Sequence, residues 1–340
     1  MTSGTSKAVV LHGPGEASLE EVPILEPGPG DALIRVAYEG VCGTDLEMLH
    51  GTLGYFRQGL SSYPIVPGHE FSGEVIVVGG DVQGIRAGAR VVCEPIQSCG
   101  RCEACLAGNW VSCPDRVELG VIRRDGAYAE HVCVPARFLH ELPKDVGLET
   151  GALSEPLAVV MKGLGRLQRT WAPGSSKRCA VVGAGPIGHL AAQVLAHRGH
   201  RVVAIDTDPA RRGYVDDVGI ETSGEMSALA DSEAIVEATG SVAALGAALG
   251  GAAPGASVLL LGLPYGELAF DFEGLVAYDR TIVGSVGSGP EDFREAIRTL
   301  PSLDMGPFTT GTFPLAGFLE AWQSFERRDH LKIMLKAGGA

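Results

Sequence analysis

Three side chains of the kind that bind transition metals stand in the first quarter of the chain. They are Cys42, followed by Gly43-Thr44-Asp45, and the neighbouring pair His69 and Glu70. A thiolate, an imidazole and a carboxylate form a mixed zinc site that leaves one coordination position for water or substrate. The residues therefore predict a catalytic zinc. A buried free cysteine and a core histidine at a turn are the alternative interpretation.

Two polar residues beside Cys42 are predicted to serve this metal site. Thr44 is placed to accept a proton from an alcohol held at the metal. Asp45 is placed to hydrogen-bond the free nitrogen of His69, because carboxylates near a metal commonly fix the tautomer of a histidine ligand.

A second metal site is predicted from a dense run of cysteines: Cys99, Cys102, Cys105 and Cys113. Four thiolates at this spacing can close a tetrahedral site without an open position, which describes a structural zinc. Unrelated or redox-active cysteines and an iron–sulfur cluster are the alternatives.

A dinucleotide-binding turn is predicted where an apolar strand, Cys179–Val182, runs into a glycine-rich segment. The candidate cofactor-binding residues are Gly183, Gly185, Pro186, Ile187 and Gly188. Asp206, at the end of the next strand, is predicted to accept hydrogen bonds from the adenosine ribose hydroxyls and to repel a 2′-phosphate, so NAD is favoured over NADP. Arg211 and Arg212 follow closely and weaken that preference.

Composition restricts the classes of function. The chain has 340 residues, 45% of them apolar and 20% charged, with a net charge of −14. This charge argues against a nucleic-acid partner, since cationic side chains are not in excess. Glycines and prolines interrupt the apolar stretches, so no membrane span is predicted. Without a signal pattern at the N-terminus, we expect a cytoplasmic protein whose cysteines stay reduced.

The elements that position these residues change in character along the chain. Residues 1–150 contain short β-branched strands separated by turns, with little helical periodicity, which predicts a barrel-like β domain. From about Leu153 onwards, strands alternate with helical segments, which predicts a doubly wound parallel sheet. The last segment, from Glu291, returns to a mixed pattern. The predicted fold class is therefore α/β with two domains.

In its motifs the chain resembles the zinc-dependent medium-chain dehydrogenases/reductases over essentially its whole length. The four-cysteine loop and four further motifs occur in the order and spacing of that family: Val41–Asp45, Gly68–Gly73, Glu155-Pro156-Leu157 and Gly183–Gly188. The resemblance implies a GroES-like β-barrel catalytic domain, residues 1–154 and 286–340, around an inserted Rossmann domain, residues 155–285. It also implies an active-site cleft at their junction and a homodimer or homotetramer.

The resemblance adds Glu155 as a further ligand and catalytic residue. Alcohol dehydrogenases of the family have a cysteine at this position, whereas polyol, glucose and cyclitol-amine dehydrogenases supply carboxylates. The implied catalytic zinc ligands are Cys42, His69, Glu70 and Glu155, the last direct or through water. One departure is Glu47, which stands where alcohol dehydrogenases end their proton relay with a histidine, so the relay beyond Thr44 is not predicted.

The sequence thus predicts a zinc- and NAD-dependent dehydrogenase acting on a secondary alcohol of a sugar, polyol or cyclitol. Two zinc ions per chain are expected. Threonine-type amino alcohols and simple alcohols are alternative substrates. An alternative of another class is a non-catalytic scaffold that binds zinc and nucleotide.

Overall fold

A computed structural model describes residues 4–172 and 174–338. The chain divides into two compact units. The first contains the residues up to Glu155, the segment Gly287–Arg298 and the chain from Phe308 onwards. The second contains Pro156–Val286 and Thr299–Pro307.

The strands follow in chain order: β1 (Thr5–Gly13), β2 (Glu16–Pro23), β3 (Asp31–Gly40), β4 (Phe71–Val78), β5 (Arg90–Cys93), β6 (Ile96–Gln97), β7 (Val117–Glu118), β8 (His131–Pro135), β9 (Leu139–Glu141), β10 (Arg178–Val182), β11 (Arg201–Ile205), β12 (Glu221–Ser223), β13 (Ala234–Glu237), β14 (Ser257–Leu260), β15 (Thr281–Gly284), β16 (Gly311–Pro314) and β17 (Ile333–Lys336).

The α-helices are α1 (Gly43–Leu49), α2 (Gly54–Arg57), α3 (Glu103–Leu106), α4 (Leu148–Ala152), α5 (Ser154–Gln168), α6 (Pro186–His197), α7 (Pro209–Asp216), α8 (Val242–Gly251), α9 (Phe272–Ala277), α10 (Pro290–Thr299) and α11 (Phe318–Arg327). No helix within the described ranges is long and apolar enough to cross a membrane.

The first unit is built on a sheet of order β16-β17-β3-β4-β5-β9. Its pairs are antiparallel except β16 with β17. β8 pairs with the first half of β3. β17 pairs with the last residues of β3, along the same edge of that strand. The core between the strands is filled by apolar side chains such as Ile34, Val36, Phe71 and Val75, all buried.

This strand order brings three strand ends together. The antiparallel pairing of β3 with β4 places the end of β3 beside the start of β4, and the amide of Gly40 donates to the carbonyl of Glu70 at 2.9 Å. On the other edge of β3, Met334 of β17 lies opposite Gly40. The residues just outside these ends, Cys42, His69 and Lys332, are therefore neighbours in space.

Short helices interrupt the predicted all-β region. The prediction of little helix in residues 1–150 misses α1, α2, α3 and α4, which are four to seven residues long. Such helices are too short to show a 3.6-residue repeat, and tertiary packing stabilises them. α1 matters most, because it carries Thr44 and Asp45.

The second unit is a parallel sheet of order β12-β11-β10-β13-β14-β15. This order reverses at β10, which defines the Rossmann type of doubly wound sheet, so the predicted α/β class is confirmed. Its strands carry buried residues on both faces, as in β10, where Cys179–Val182 are all buried.

The segment Thr299–Pro307, which the sequence analysis assigns to the first domain, packs within the second unit. The side-chain amide of Gln193 donates to the carbonyl of Asp304 at 2.9 Å and accepts from its amide at 2.8 Å. Leu300 and Met305 are buried. Both hydrogen bonds join residues that lie far apart in the chain, so they leave no signal in the local sequence.

Candidate metal and cofactor sites

The first candidate site lies where the three strand ends meet. A ligand atom from each of Cys42, His69 and Glu70 lies within 4.8 Å of the other two. His69 and Glu70 are buried, and Cys42 is half-buried. The structure therefore brings together three of the four predicted ligands of the catalytic metal.

Asp45 supports this site differently from the prediction. Its Oδ1 lies 3.7 Å from Nδ1 of His69, which is too long for a hydrogen bond. Its Oδ2 accepts instead from the amide of Cys42 at 2.9 Å and from the hydroxyl of Tyr128 at 3.0 Å. Because α1 begins directly after Cys42, the carboxylate in its first turn holds the cysteine backbone in place.

The turn before His69 requires glycine. Gly68 has φ 100°, and a Cβ there would overlap the Tyr128 ring and approach its amide nitrogen to 2.8 Å. Two further glycines, Gly120 and Gly126, press against the Gly68 backbone with no room for side chains. The amides of Ala127 and Tyr128 donate to this turn at 3.0 Å each. The position of His69 is therefore determined by backbone packing.

Glu70 is held at two points. Its amide donates to Oε1 of Glu39 at 2.8 Å. Its Oε2 forms an ion pair with the ammonium of Lys332, which also donates to the carbonyl of Val41 at 2.9 Å. Glu39 and Lys332 are both buried.

Glu155 lies in the first turn of α5 and is also buried, but it does not belong to the mutually close ligand set. Burial, with the charge of Glu70, raises the pKa of Glu155 to about 8, while His69 and Lys332 act in the opposite direction. Its carboxyl group is therefore within electrostatic range of the site.

The chemistry of these donors fits a divalent cation. Burial raises the pKa of Cys42, Asp45 and Glu39, with nearby carboxylates adding to the effect. The buried polar atoms without a hydrogen-bond partner at this site include Glu39 Oε2, Asp45 Oδ1 and His69 Nδ1. Buried acids crowded in this way are costly unless a positive charge compensates them. Zinc accepts sulfur, nitrogen and carboxylate ligands together.

The two residues of the predicted proton path lie in α1. Thr44 is half-buried in the first turn, next but one to Cys42, and Glu47 is half-buried one turn later. His50, which follows the helix, is exposed and lies 3.2 Å from Glu326 in a surface ion pair.

The four cysteines form a second, separate cluster. The sulfurs of Cys99, Cys102, Cys105 and Cys113 offer ligand atoms all within 4.8 Å of one another. The Cys102–Cys105 and Cys99–Cys105 sulfur distances are 3.4 and 3.9 Å. Zinc–sulfur bonds of about 2.3 Å in a tetrahedron place sulfurs about 3.8 Å apart.

Backbone amides donate to two of these sulfurs. The amide of Cys102 donates to the sulfur of Cys99, and the amide of Cys99 to that of Cys113, both at 3.4 Å. Amides of Arg101 and Cys102 lower the pKa of the Cys99 thiol to about 6. A thiolate is the ligand form, so the cluster fits a closed structural site.

The glycine-rich turn lies between β10 and α6. Gly183 has φ 96°, and a Cβ on Gly188 would overlap the carbonyl oxygen of Gly183. Gly185 precedes the helix, Pro186 occupies its first turn, and Ile187 follows. The free amides at this helix start suit a phosphate.

Asp206 ties the turn to the end of β11. One carboxylate oxygen accepts from the amide of Ala184 at 2.8 Å, and the other from the amide of Asp208 at 2.9 Å. Arg212 donates to the Asp206 carbonyl at 2.6 Å. A Cβ on Gly185 would lie 3.5 Å from the guanidinium of Arg211, so this cation flanks the turn.

A Rossmann sheet with this turn, together with a mixed sulfur, nitrogen and oxygen metal site, defines the class of zinc-dependent, dinucleotide-binding oxidoreductases. Comparison with known families agrees. The alcohol dehydrogenase GroES-like domain matches residues 28–144, and the zinc-binding dehydrogenase domain matches residues 186–302. The chain belongs to the zinc-dependent medium-chain dehydrogenase/reductase family, and the predicted GroES-like and Rossmann fold class is confirmed.

Individual relatives cover nearly the whole chain. A sorbitol dehydrogenase of Halalkalibacterium halodurans is 30% identical over 344 residues, covering 95% of this chain and 96% of the relative. An L-threonine 3-dehydrogenase of Streptomyces avermitilis is 34% identical over 312 residues, covering 87% and 88%. A Sinorhizobium meliloti 1021 protein, described as a zinc-binding dehydrogenase and solved bound to NADP, superposes with a TM-score of 0.89 at 28% identity, covering 98% and 99%.

Three supporting residues of the metal site escape the sequence analysis: Glu39, Tyr128 and Lys332. Each is a polar side chain within an apolar, strand-like stretch, and this was the available signal. Charged residues are rarely fully buried unless they are paired, so a charge inside a predicted strand marks either an exposed face or a buried site. Only the structure distinguishes these two cases.

We predict about two zinc ions per chain in the purified protein. Cys42→Ala should lose one of them together with activity and remain folded, because the other cluster is intact. Cys99→Ser should lose the other and lower thermal stability, since structural zinc contributes directly to folding. Metal analysis measures the zinc content of each variant, and circular dichroism measures its folding and thermal stability.

The matched control is Cys133→Ala, which removes a half-buried cysteine outside both clusters. This variant should keep both ions. One ion or none in the wild type, or unchanged zinc content in Cys42→Ala, would exclude the catalytic site described above.

Proposed function

We propose that this protein is an NAD-dependent oxidoreductase that converts a secondary alcohol of a sugar, polyol or cyclitol into a ketone, and the reverse. The observation that carries the proposal is the buried set Cys42, His69 and Glu70, whose donors fit zinc and leave a position open for substrate. The Gly183–Gly188 turn supplies the nucleotide-binding half of the reaction.

The reaction removes a proton and a hydride from the alcohol. Cys42, His69 and a carboxylate would hold zinc, which would supply Lewis-acid polarisation of the alcohol oxygen. Thr44 would accept the hydrogen bond of the alcohol hydroxyl and pass its proton on; the residues that receive the proton beyond Thr44 are not part of the proposal. NAD⁺ held by the Gly183–Gly188 turn and Asp206 would supply the hydride acceptor, so that oxidation of the alcohol would yield a ketone and NADH. Asp45 and the Gly68 turn keep Cys42 and His69 in place through these steps.

Buried carboxylates favour substrates with several hydroxyl groups. Glu70 lies beside Cys42 and His69, and Glu155 is within electrostatic range of His69, so both carboxyl groups can exchange hydrogen bonds with substrate hydroxyls. The likeness to a sorbitol dehydrogenase points in the same direction. The likeness to an L-threonine 3-dehydrogenase makes an amino alcohol the second candidate substrate.

NAD is the proposed cofactor, on the strength of Asp206. Its carboxylate stands at the end of β11 and touches the glycine-rich turn through Ala184. A negative charge there accepts ribose hydroxyls and repels a 2′-phosphate. Arg211 beside Gly185 works against this preference, because a guanidinium binds phosphate well.

We also propose that the protein forms a dimer through β15. This strand is the outer edge of its sheet and pairs with β14 alone in the described chain. Large exposed apolar side chains gather in the same stretch: Leu263, Tyr265, Phe272, Val276, Tyr278 and Ile282. An unpaired edge strand is self-complementary across a two-fold axis, so a second copy of the chain is the partner it fits.

A reducing compartment, the cytoplasm, is the proposed location. All eight cysteines lie in the described chain and are free. Four of them form the compact cluster around Cys99, which fits metal binding and would be lost on oxidation.

The function is tested by NAD reduction across a panel of sugars, polyols, cyclitols, amino-cyclitols and threonine. We expect a polyhydroxylated compound to show kcat/KM at least about tenfold above that of threonine, a difference of about 1.4 kcal/mol. Cys42→Ala is the inactive control. Preference for threonine would favour the second candidate, and no turnover with a metal-loaded protein would favour a non-catalytic scaffold.

Asp206→Ser should shift the ratio of kcat/KM for NAD to that for NADP towards NADP by about tenfold or more, because it removes a charge that repels the 2′-phosphate. Arg211→Ala should shift the ratio the other way. Asp208→Ser is the control, since serine still caps α7 and the ratio should not change. If the ratio is unchanged in Asp206→Ser, Asp206 is not at the ribose.

Ile282→Lys should convert the proposed dimer into a monomer, because it places a charge on the edge strand at the interface. Sedimentation velocity over a range of protein concentrations measures the change. Leu319→Lys, also at an exposed apolar residue but on α11, should remain dimeric. A wild type that is monomeric, or an Ile282→Lys dimer, would contradict this interface.

A further inference from the structure

Lys332 is a buried cation beside the metal ligands. Of the lysines and arginines in residues 4–172 and 174–338, it alone is buried, with 4% of its surface exposed. Its ammonium pairs with Oε2 of Glu70 and donates to the carbonyl of Val41, the residue before Cys42. The lysine therefore contacts both segments that carry the ligands.

The backbone determines this placement. Lys332 directly precedes β17, whose Met334 lies opposite Gly40 at the end of β3. A Cβ on Gly40 would overlap the Glu70 carboxylate and lie 3.0 Å from Cε of Lys332. The ion pair is thus seated against a strand end that leaves space for it only because residue 40 is a glycine.

Stability alone does not account for such a pair. Removing an ammonium from water costs several kcal/mol, and buried ion pairs are often no better than apolar residues of the same volume. What the pair does accomplish is to occupy one oxygen of Glu70. A carboxylate that shares charge with an ammonium is a weaker metal donor, and one of its two oxygens is no longer free to bind.

We propose that Lys332 is a positioning residue that competes with the metal for the carboxylate of Glu70 and thereby keeps one coordination position exchangeable for substrate. The inference rests on the proposed metal site at Cys42, His69 and Glu70. Without the lysine, Glu70 would stay on the metal together with Cys42, His69 and Glu155, and these four ligands would leave no position open for substrate.

The test uses cobalt-substituted protein, whose visible absorption reports the coordination of the metal, titrated with imidazole as a neutral added ligand. Wild type should bind imidazole. Lys332→Met should keep its full metal content but bind imidazole at least about tenfold more weakly, the size of effect expected of residues that support metal ligands. The four-cysteine site has no open position and should not respond.

Three further variants identify the cause. Lys332→Arg keeps a cation and should restore imidazole binding close to the wild-type value. Adding Glu70→Gln to Lys332→Met should also restore it, because the competing carboxylate is gone. Lys336→Met is the matched control and should behave as wild type, because Lys336, the last residue of β17, is half-exposed and lies over the Tyr38 ring.

The proposal would be overturned if Lys332→Met bound imidazole as tightly as wild type does. It would also be overturned if the variant that combines Lys332→Met with Glu70→Gln still bound imidazole weakly. If Lys332→Met does not fold, Glu70→Gln alone decides. With Lys332 present it should keep both metals and bind imidazole at least as well as wild type, whereas loss of a metal would show that Glu70 is a permanent ligand. The titration needs no substrate, so it remains valid if every alcohol in the panel fails.

Discussion

The structure of the metal site depends on one constraint, the pairing of β3 with β4 on one edge and β17 on the other. Antiparallel pairing brings the end of β3 to the start of β4, and the hydrogen bond between Gly40 and Glu70 closes this junction. Cys42 and His69 belong to segments that leave the sheet at that point. The metal ligands therefore come together because strands pair, and their separation along the chain has no influence on their distance in space.

The same junction concentrates acidic groups where water is excluded. Glu39, Asp45 and Glu70 are buried within one cluster, and Lys332 is the only lysine or arginine buried in the described chain. A cluster of this composition is unfavourable for a metal-free protein and favourable for one that binds a divalent ion. The stability of the fold and metal binding are therefore linked at this site. The residues around the ligands both position the ligands and set the net charge of the cluster.

Local patterns predicted those features that depend on neighbours in sequence. The alternation of strands and helices identified the Rossmann sheet, and the spacing of Gly183 and Gly188 identified a turn that does require glycine. Patterns failed where long-range contacts decide. The seven-residue helix α1 is stabilised by packing, Asp45 bonds Tyr128 and not His69, and Thr299–Pro307 joins the second unit through Gln193.

By itself, the sequence determined the chemical repertoire of this protein: the four-cysteine cluster, the cysteine and histidine of a mixed metal site, and the nucleotide-binding turn. These depend on residue type and short spacing, which are local properties. The tertiary structure alone decided which oxygen atoms surround the metal ligands and which of them are already engaged. Glu39 and Lys332 lie far from His69 along the chain and meet it only through strand pairing, so no local pattern could have placed them there.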